Sequence, residues 1–206
     1  GSNTGVGKTT VAIEVVRHIS KTRAVKVRKP VETNCKVRDQ KFIPKDAIAL
    51  SAACQLQEPL SRVCPYCFEA EASAELASAD SEKKLTLKDL VSACKNAIDE
   101  SFVLVEGAGG LYSPIAEATL NVDLAIKLQL PLLIVVLDEL GAISQALLTL
   151  EAANNNNLTV AGVILNVVES NKLSNKEALS AYTKTPVISF SQGELGVFCS
   201  EIEKLI

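Results

Sequence analysis

Apolar residues along the chain fall into two kinds of run. Short β-branched stretches are apolar with almost no alternation: "AVKV" (Ala24–Val27), "FVLVE" (Phe102–Glu106), "LLIVVL" (Leu132–Leu137), "TVAGVILN" (Thr159–Asn166) and "PVISF" (Pro186–Phe190). That pattern predicts strands buried on both faces of a parallel sheet. Between them lie longer stretches with helical spacing. Over 8–20, Val11, Val15 and Ile19 repeat at i, i+4 and i+8. Over 87–98, Leu87, Leu90, Val91, Cys94 and Ile98 make a stripe, and "TLKD" predicts a capping box with Thr86 as N-cap and Asp89 three residues on. The same spacing predicts helices over 45–54, 119–128, 143–153, 174–182 and 194–205, with Asn154–Asn157 a polar connector. Alternation of this kind implies a doubly wound α/β fold, a mostly parallel sheet with helices on both faces, and ligands outside the carboxyl ends of the strands. No repeat or linker divides the sequence, so a single domain over 1–206 is expected.

Composition sharpens this picture mainly by exclusion. With 48% hydrophobic and 22% charged residues the chain can bury a full core and is not disordered. A net charge of −3 without a basic cluster argues against a nucleic-acid partner. The longest apolar run, Leu130–Leu137, is far short of the roughly 20 residues a membrane span needs. The six cysteines (Cys35, Cys54, Cys64, Cys67, Cys94 and Cys199) are expected to be reduced, and the protein cytoplasmic. Cys64 and Cys67 form a CxxC, but neither a second CxxC nor a histidine pair accompanies it, so zinc is not expected. Nor does a strand followed by a helix frame it, as a thioredoxin-type redox pair requires. His18, the sole histidine, takes a polar mid-helix position and is expected at the surface.

Three stretches carry chemistry. "GSNTGVGKTT" (Gly1–Thr10) runs directly into the first helical stretch. Its glycines let backbone N–H groups close around phosphate oxygens, and the helix N-terminus adds partial positive charge. Lys8 can reach the β- and γ-phosphates and the Thr9 hydroxyl can ligate Mg²⁺. The spacing is unusual, because Gly1 and Gly7 enclose five residues and Ser2 stands where the common form has its first glycine. In this fold such a loop follows a strand, which is expected ahead of Gly1 and outside this sequence. "RKPVET" (Arg28–Thr33) follows the second expected strand. Lys29 at a strand's carboxyl end faces the site in this fold, although by itself it reads better as a solvated strand end. "VEGAGGLYSPI" (Val105–Ile115) puts Glu106 at the end of a buried strand before a Gly-rich turn. That acid can bind Mg²⁺ directly or through water, or simply cap the turn.

The loop resembles one branch of P-loop proteins: partition and division-site ATPases, the nitrogenase iron protein, cobyrinate-type amidating synthetases and dethiobiotin synthetases. Many of the ATPases carry a second lysine where Asn3 stands here. The loop spacing, "KPVET", Asp46 in "KDAIAL", "EGAGGLYSP", "LPLLIVV" and Asn166 in "ILN" occur in the order seen in dethiobiotin synthetases, over nearly the whole chain. That resemblance implies an ATP-dependent ligase that closes a ureido ring on 7,8-diaminononanoate with CO₂, giving dethiobiotin, ADP and phosphate. It implies that ATP is held by Asn3, Thr4, Gly5, Val6, Gly7, Lys8, Thr9 and Thr10, with Asn166 on the adenine. It further implies that Lys8, Lys29 and Thr4 act on the transferred phosphoryl group, and that Thr9, Asp46 and Glu106 surround Mg²⁺. Thr33, Glu106 and Gly109 would meet the substrate. Gly141, Ile143 and Ser144, in "LGAIS", would meet its carboxylate across a homodimer interface. A cobyrinate-type amide-forming synthetase would need an added glutaminase domain, for which 206 residues leave no room. A partition-type ATP switch is disfavoured by Asn3 and "KPVET".

The chain departs from that family in the substrate region. Where the family usually shows PYxFxxPxSPHxAA, this sequence has "PYCFEAEASAELASA" (Pro65–Ala79), with Glu71, Ala74 and Glu75 at the usual Pro, Pro and His. Asn34 replaces a common Gly, and Ser144 a common Asn. The acid at position 71 either suits a diamine or sits in solvent. The departures touch the substrate more than the nucleotide.

Overall fold

The computed structural model describes residues 1–79, 84–98, 100–169 and 171–206. The strands are β1 (Val25–Arg28), β2 (Val31–Glu32), β3 (Lys36–Arg38), β4 (Lys41–Ile43), β5 (Tyr66–Cys67), β6 (Phe102–Val105), β7 (Pro114–Ala116), β8 (Thr119–Leu120), β9 (Leu132–Leu137), β10 (Val160–Asn166) and β11 (Val187–Phe190). The helices are α1 (Lys8–Ile19), α2 (Lys45–Ala53), α3 (Leu60–Val63), α4 (Ala74–Ala79), α5 (Leu87–Lys95), α6 (Asn121–Leu128), α7 (Ala142–Asn155), α8 (Asn175–Ser180) and α9 (Leu195–Ile202), the last entered through a 3₁₀ turn at Gln192–Glu194.

All five apolar runs are strands, and their pairings are parallel, β1 with β6 and β10 with both β9 and β11. They form two groups rather than one continuous sheet. Among the described residues β6 and β9 share no ladder and face each other across a mostly apolar groove of about 540 Å³. Val11 and Val15 of α1 line that groove, and at Ser2 the backbone N–H donates to Val135 O of β9 at 2.9 Å.

Helices cover the strands as the apolar stripes require. Val11, Val15 and Ile19 of α1 pack with Val27, Ile164, Phe190 and Ile202, and the rings of Phe190 and Phe198 meet edge to face at 4.9 Å. On another face Ala142, Ala146 and Leu150 of α7 pack on Val136, Val163 and Leu165. Leu90 and Cys94 of α5 and Leu124 of α6 close a third cluster with Ile115. The capping box is present, with Asp89 N–H donating to Thr86 Oγ1 and Thr86 N–H to Asp89 Oδ2.

Three helical expectations are corrected at their ends. The α5 stripe stops at Lys95, because Asn96 is extended and Ala97 has a φ of 52°; Ile98 lies beyond the helix and is exposed. Residues 119 and 120 belong to β8, which pairs with β7, so α6 starts at Asn121. The last helix begins as a 3₁₀ turn and its α-helical part ends at Ile202. His18 is less exposed than expected: its side chain is 21% accessible, and Nδ1 is buried without a hydrogen-bond partner in the structure. No helix among the described residues is long and apolar enough to cross a membrane.

Candidate active site

The phosphate loop is held from beneath by two strands and one helix. Besides the Ser2 tie to β9, Ser2 Oγ donates to Gln145 Oε1 of α7 at 3.1 Å. Asn166, buried at the carboxyl end of β10, donates Nδ2 to Val6 O at 2.9 Å. Gly7 has a φ of 86°, and a side chain there would collide with Asn166 Nδ2, so only glycine fits. Gly7 is also the N-cap of α1 and supplies no side-chain acceptor, and no acid occupies the first turn. The first-turn amides and the positive end of the helix are therefore free for an anion. Lys8 Nζ donates to Asn3 O at 2.8 Å, and Asn3 Oδ1 accepts from Thr4 N–H, so Asn3 shapes the loop with both its oxygens. Burial lowers the pKa of Lys8, and the neighbouring Lys29 lowers it further.

Lys29 is not a solvated strand end. It follows β1 directly, its backbone N–H donates to Val63 O, and its side chain is only 4% accessible. Nζ bridges two carboxylates, Asp46 Oδ2 at 3.1 Å and Glu106 Oε1 at 2.5 Å. Burial alone would push its pKa down, but the Glu106 and Asp46 charges more than reverse this, so the ammonium form is favoured. Glu106 continues β6, with its N–H on Arg28 O. Thr9 Oγ1 donates to the same Glu106 oxygen at 2.8 Å, while Glu106 Oε2 is buried with no hydrogen-bond partner in the structure. Asp46 sits in the first turn of α2 with its side chain 44% accessible.

These groups line one cavity of about 640 Å³. Its floor is the phosphate loop at Gly5, Gly7, Lys8 and Thr9, and its walls carry Lys29, Glu32, Thr33, Asp46 and Glu106. Thr4, Thr10 and Gly109 also reach it, so most of the expected site residues converge. Two carboxylates and a hydroxyl offer only oxygen donors, one of them unpartnered and buried, which suits a hard cation such as Mg²⁺. The ammonium between the two carboxylates marks the same place as one where positive charge is stabilised.

Other expected residues lie elsewhere. Val6 is buried and offers its carbonyl to Asn166, which supports the loop from below; neither lines the cavity. Gly141, Ile143 and Ser144 stand at the head of α7, where Gly141 has a φ of 98°, and they do not reach the cavity of their own chain. In the divergent segment, Glu71 and Ser73 line the cavity wall, whereas Glu75 turns away and accepts from Ala118 N–H at 2.7 Å. Asn34 has a φ of 57°, the left-handed conformation that a glycine adopts freely and asparagine tolerates.

Sequence reasoning passed over Glu32, which lines the cavity, and Arg28, which is fully buried beside it in sequence. The signal for both was present: charged residues within a stretch otherwise reading as buried strand. The cysteines are free, with Cys64 and Cys67 Sγ atoms 3.7 Å apart. Burial pushes the Cys94 thiol up to about 12. No three His, Cys, Asp or Glu side chains among the described residues gather as a metal site.

Comparison with known proteins gives concordant matches. Residues 1–190 match a family model described as AAA domain. Over 206 residues the chain is 45% identical to the ATP-dependent dethiobiotin synthetase BioD of Vesicomyosocius okutanii subsp. Calyptogena okutanii (strain HA), covering 100% of this chain and 94% of that protein. It is 44% identical over the same length to the protein of that name from Ruthia magnifica subsp. Calyptogena magnifica, covering 95% of it. A namesake from Anaeromyxobacter dehalogenans (strain 2CP-1 / ATCC BAA-258) is 36% identical over 168 residues, 81% of this chain and 74% of that protein.

Proposed function

Because the chain belongs to the ATP-dependent dethiobiotin synthetase family, we propose that it makes dethiobiotin from 7,8-diaminononanoate, CO₂ and ATP with Mg²⁺. The observation that carries this reading is the meeting of Lys8, Lys29, Thr9 and Glu106 in one cavity above a phosphate loop.

The chemistry follows from the atoms. One substrate amine adds to CO₂ and loses a proton, giving a carbamate, which is a poor electrophile. A carbamate oxygen attacks the γ-phosphorus, ADP leaves, and a carbamic–phosphoric mixed anhydride results. The second amine then attacks the carbonyl carbon, phosphate departs with the bridging oxygen, and a proton is lost. Phosphoryl transfer needs chiefly positioning and charge neutralisation. Lys8 supplies positive charge from the floor and Lys29 from the wall, where the carbamate and the γ-phosphate meet. Thr4 at the rim adds a hydroxyl, and the first-turn amides of α1 hold phosphate oxygens. Thr9, Asp46 and Glu106 hold Mg²⁺, which neutralises phosphate charge when bound. Thr33, Glu106 and Gly109, which line the cavity, would meet the substrate. By family likeness Asn166 would hydrogen-bond adenine, although its amide nitrogen is committed to Val6 O and it does not line this cavity.

The protein works as a cytoplasmic homodimer in this reading. Gly141, Ile143 and Ser144 of one copy meet the substrate carboxylate held by the other; their distance from their own cavity and the 87% exposure of Leu140 support it. Sedimentation of the pure protein checks the stoichiometry. Activity is tested by incubating the protein with MgATP, bicarbonate and 7,8-diaminononanoate and analysing by mass spectrometry. Dethiobiotin is expected; ATP hydrolysis that ignores the diamine would sink the reading.

A further inference from the structure

Helix α2 begins without a cap of its own. Its N-cap is Pro44, which has no side-chain acceptor, and the first-turn amides of Asp46 and Ala47 would be unpaired in an isolated helix. Both are satisfied from another element. Glu32 Oε1 accepts from Asp46 N–H and Glu32 Oε2 from Ala47 N–H, each at 3.0 Å. Glu32 is itself fixed. It lies in β2, which pairs in parallel with β5, Phe68 N–H donates to its carbonyl at 3.0 Å, and the residue is 7% accessible.

The connection matters because of what each end carries. Glu32 stands between Lys29 and Thr33, both on the cavity wall. Asp46 is the second residue of α2, and its Oδ2 lies 3.1 Å from Lys29 Nζ. Between Glu32 and α2 the chain makes the β3–β4 hairpin, whose strands are exposed except at Ile43. That excursion has little packing of its own with which to fix the start of the helix. The two carboxylate bonds therefore tie β2, which begins two residues after the lysine, to the helix that bears the aspartate.

We propose that Glu32 is a positioning residue for the cation site. By capping α2 across the fold, its carboxylate holds Asp46 at the distance from Lys29, Thr9 and Glu106 at which the three oxygen ligands converge. The assignment rests on the reading of Asp46 as a Mg²⁺ ligand. Glu32 need not touch cation or substrate to act.

Replacing Glu32 by Gln keeps the volume but exchanges one acceptor for an N–H₂ group that faces an amide N–H. The probe is Mn²⁺, titrated by electron paramagnetic resonance in the presence of a non-hydrolysable ATP analogue and without diamine. Glu32→Gln is expected to bind Mn²⁺ on the order of tenfold more weakly than wild type, with metal-free binding of the analogue unchanged. Pro44→Ser in the same chain places a hydroxyl cap on α2 itself and is expected to recover most of the loss. Equal Mn²⁺ affinity in wild type and Glu32→Gln would overturn the assignment of Glu32 alone, whereas a wild type that binds no Mn²⁺ with nucleotide would contradict the reading of Asp46. If Glu32→Gln does not fold, the double variant decides. Recovered folding with near-wild-type Mn²⁺ affinity supports the capping role, and failure to recover contradicts it.

Discussion

Lys29 shows how a single side chain changes meaning between sequence and fold. In "RKPVET" nothing distinguishes it from an exposed lysine at the end of a strand. In the structure it is buried between Asp46 and Glu106, which hold it charged against the pull of desolvation. In the proposed reaction a buried ammonium kept charged beside the transferred phosphoryl group would contribute to transition-state charge more than to ground-state binding. Lys29→Ala is therefore expected to bind an ATP analogue about as well as wild type and to lose turnover by at least about a hundredfold. Calorimetry and single-turnover phosphate release measure the two separately; normal turnover would remove Lys29 from the mechanism. The neighbouring residues were less legible. Asn166, expected on adenine, has its amide committed to the phosphate loop, a contact that depends on two segments distant in sequence. Glu32 acts through backbone amides fourteen and fifteen positions away, which no local pattern announces.

At the scale of elements, β1 ends on a charge that the fold depends on. Arg28 is completely buried, with its guanidinium on Val27 O, Asn96 O and the Glu58 carboxylate, the last at 2.6 Å. Removing one partner of a buried pair leaves the other charge uncompensated. Glu58→Ala is expected to destabilise the protein by about 3 kcal/mol, the lower end of the range for such pairs because two carbonyls remain on Arg28. Denaturant unfolding measures it, and a change under about 0.5 kcal/mol would contradict it. Burial opposes ionisation of Glu58, but the hydrogen bond and charge of Arg28 outweigh it and depress its pKa. The pair's stabilisation is thus complete above the ordinary carboxylate range and fades as pH falls through the lower folded value, a fade the alanine variant lacks. The long strands and helices were legible because burial on both faces of a strand, or on one face of a helix, writes itself into long apolar patterns: β9 and β10 are such runs. Short ribbons write nothing comparable. The β3–β4 hairpin is short and largely exposed, Val37 and Phe42 included, and its turn uses Asp39 and Gln40 at φ of 50° and 60°, without the Asn-Gly pair that normally signals such a turn. The two-residue pairing of β2 with β5 is set by tertiary contact alone.

Across the whole molecule, the site exists because segments far apart in sequence end at the same level. The phosphate loop enters α1, the lysine leaves β1, Glu106 leaves β6, and the α2 N-terminus is drawn in by Glu32. The sequence pattern placed the first three correctly, since each sits at a strand end or helix start, where an α/β fold presents ligand groups. The strand pairings themselves come from the structure, because an apolar run shows that a strand is buried and not which strand it pairs with. Gly141, Ile143 and Ser144 stand at the head of α7 and do not line the cavity of their own chain; in the proposed dimer they would meet the substrate of the other copy. In the proposed reaction ATP activates a carbamate oxygen within this cavity. Turnover with ¹⁸O-labelled CO₂, stopped before the label exchanges with water and followed by mass spectrometry of both products, traces that oxygen. One ¹⁸O in the released phosphate and one in the ureido carbonyl of dethiobiotin is the predicted result; phosphate free of label would contradict it.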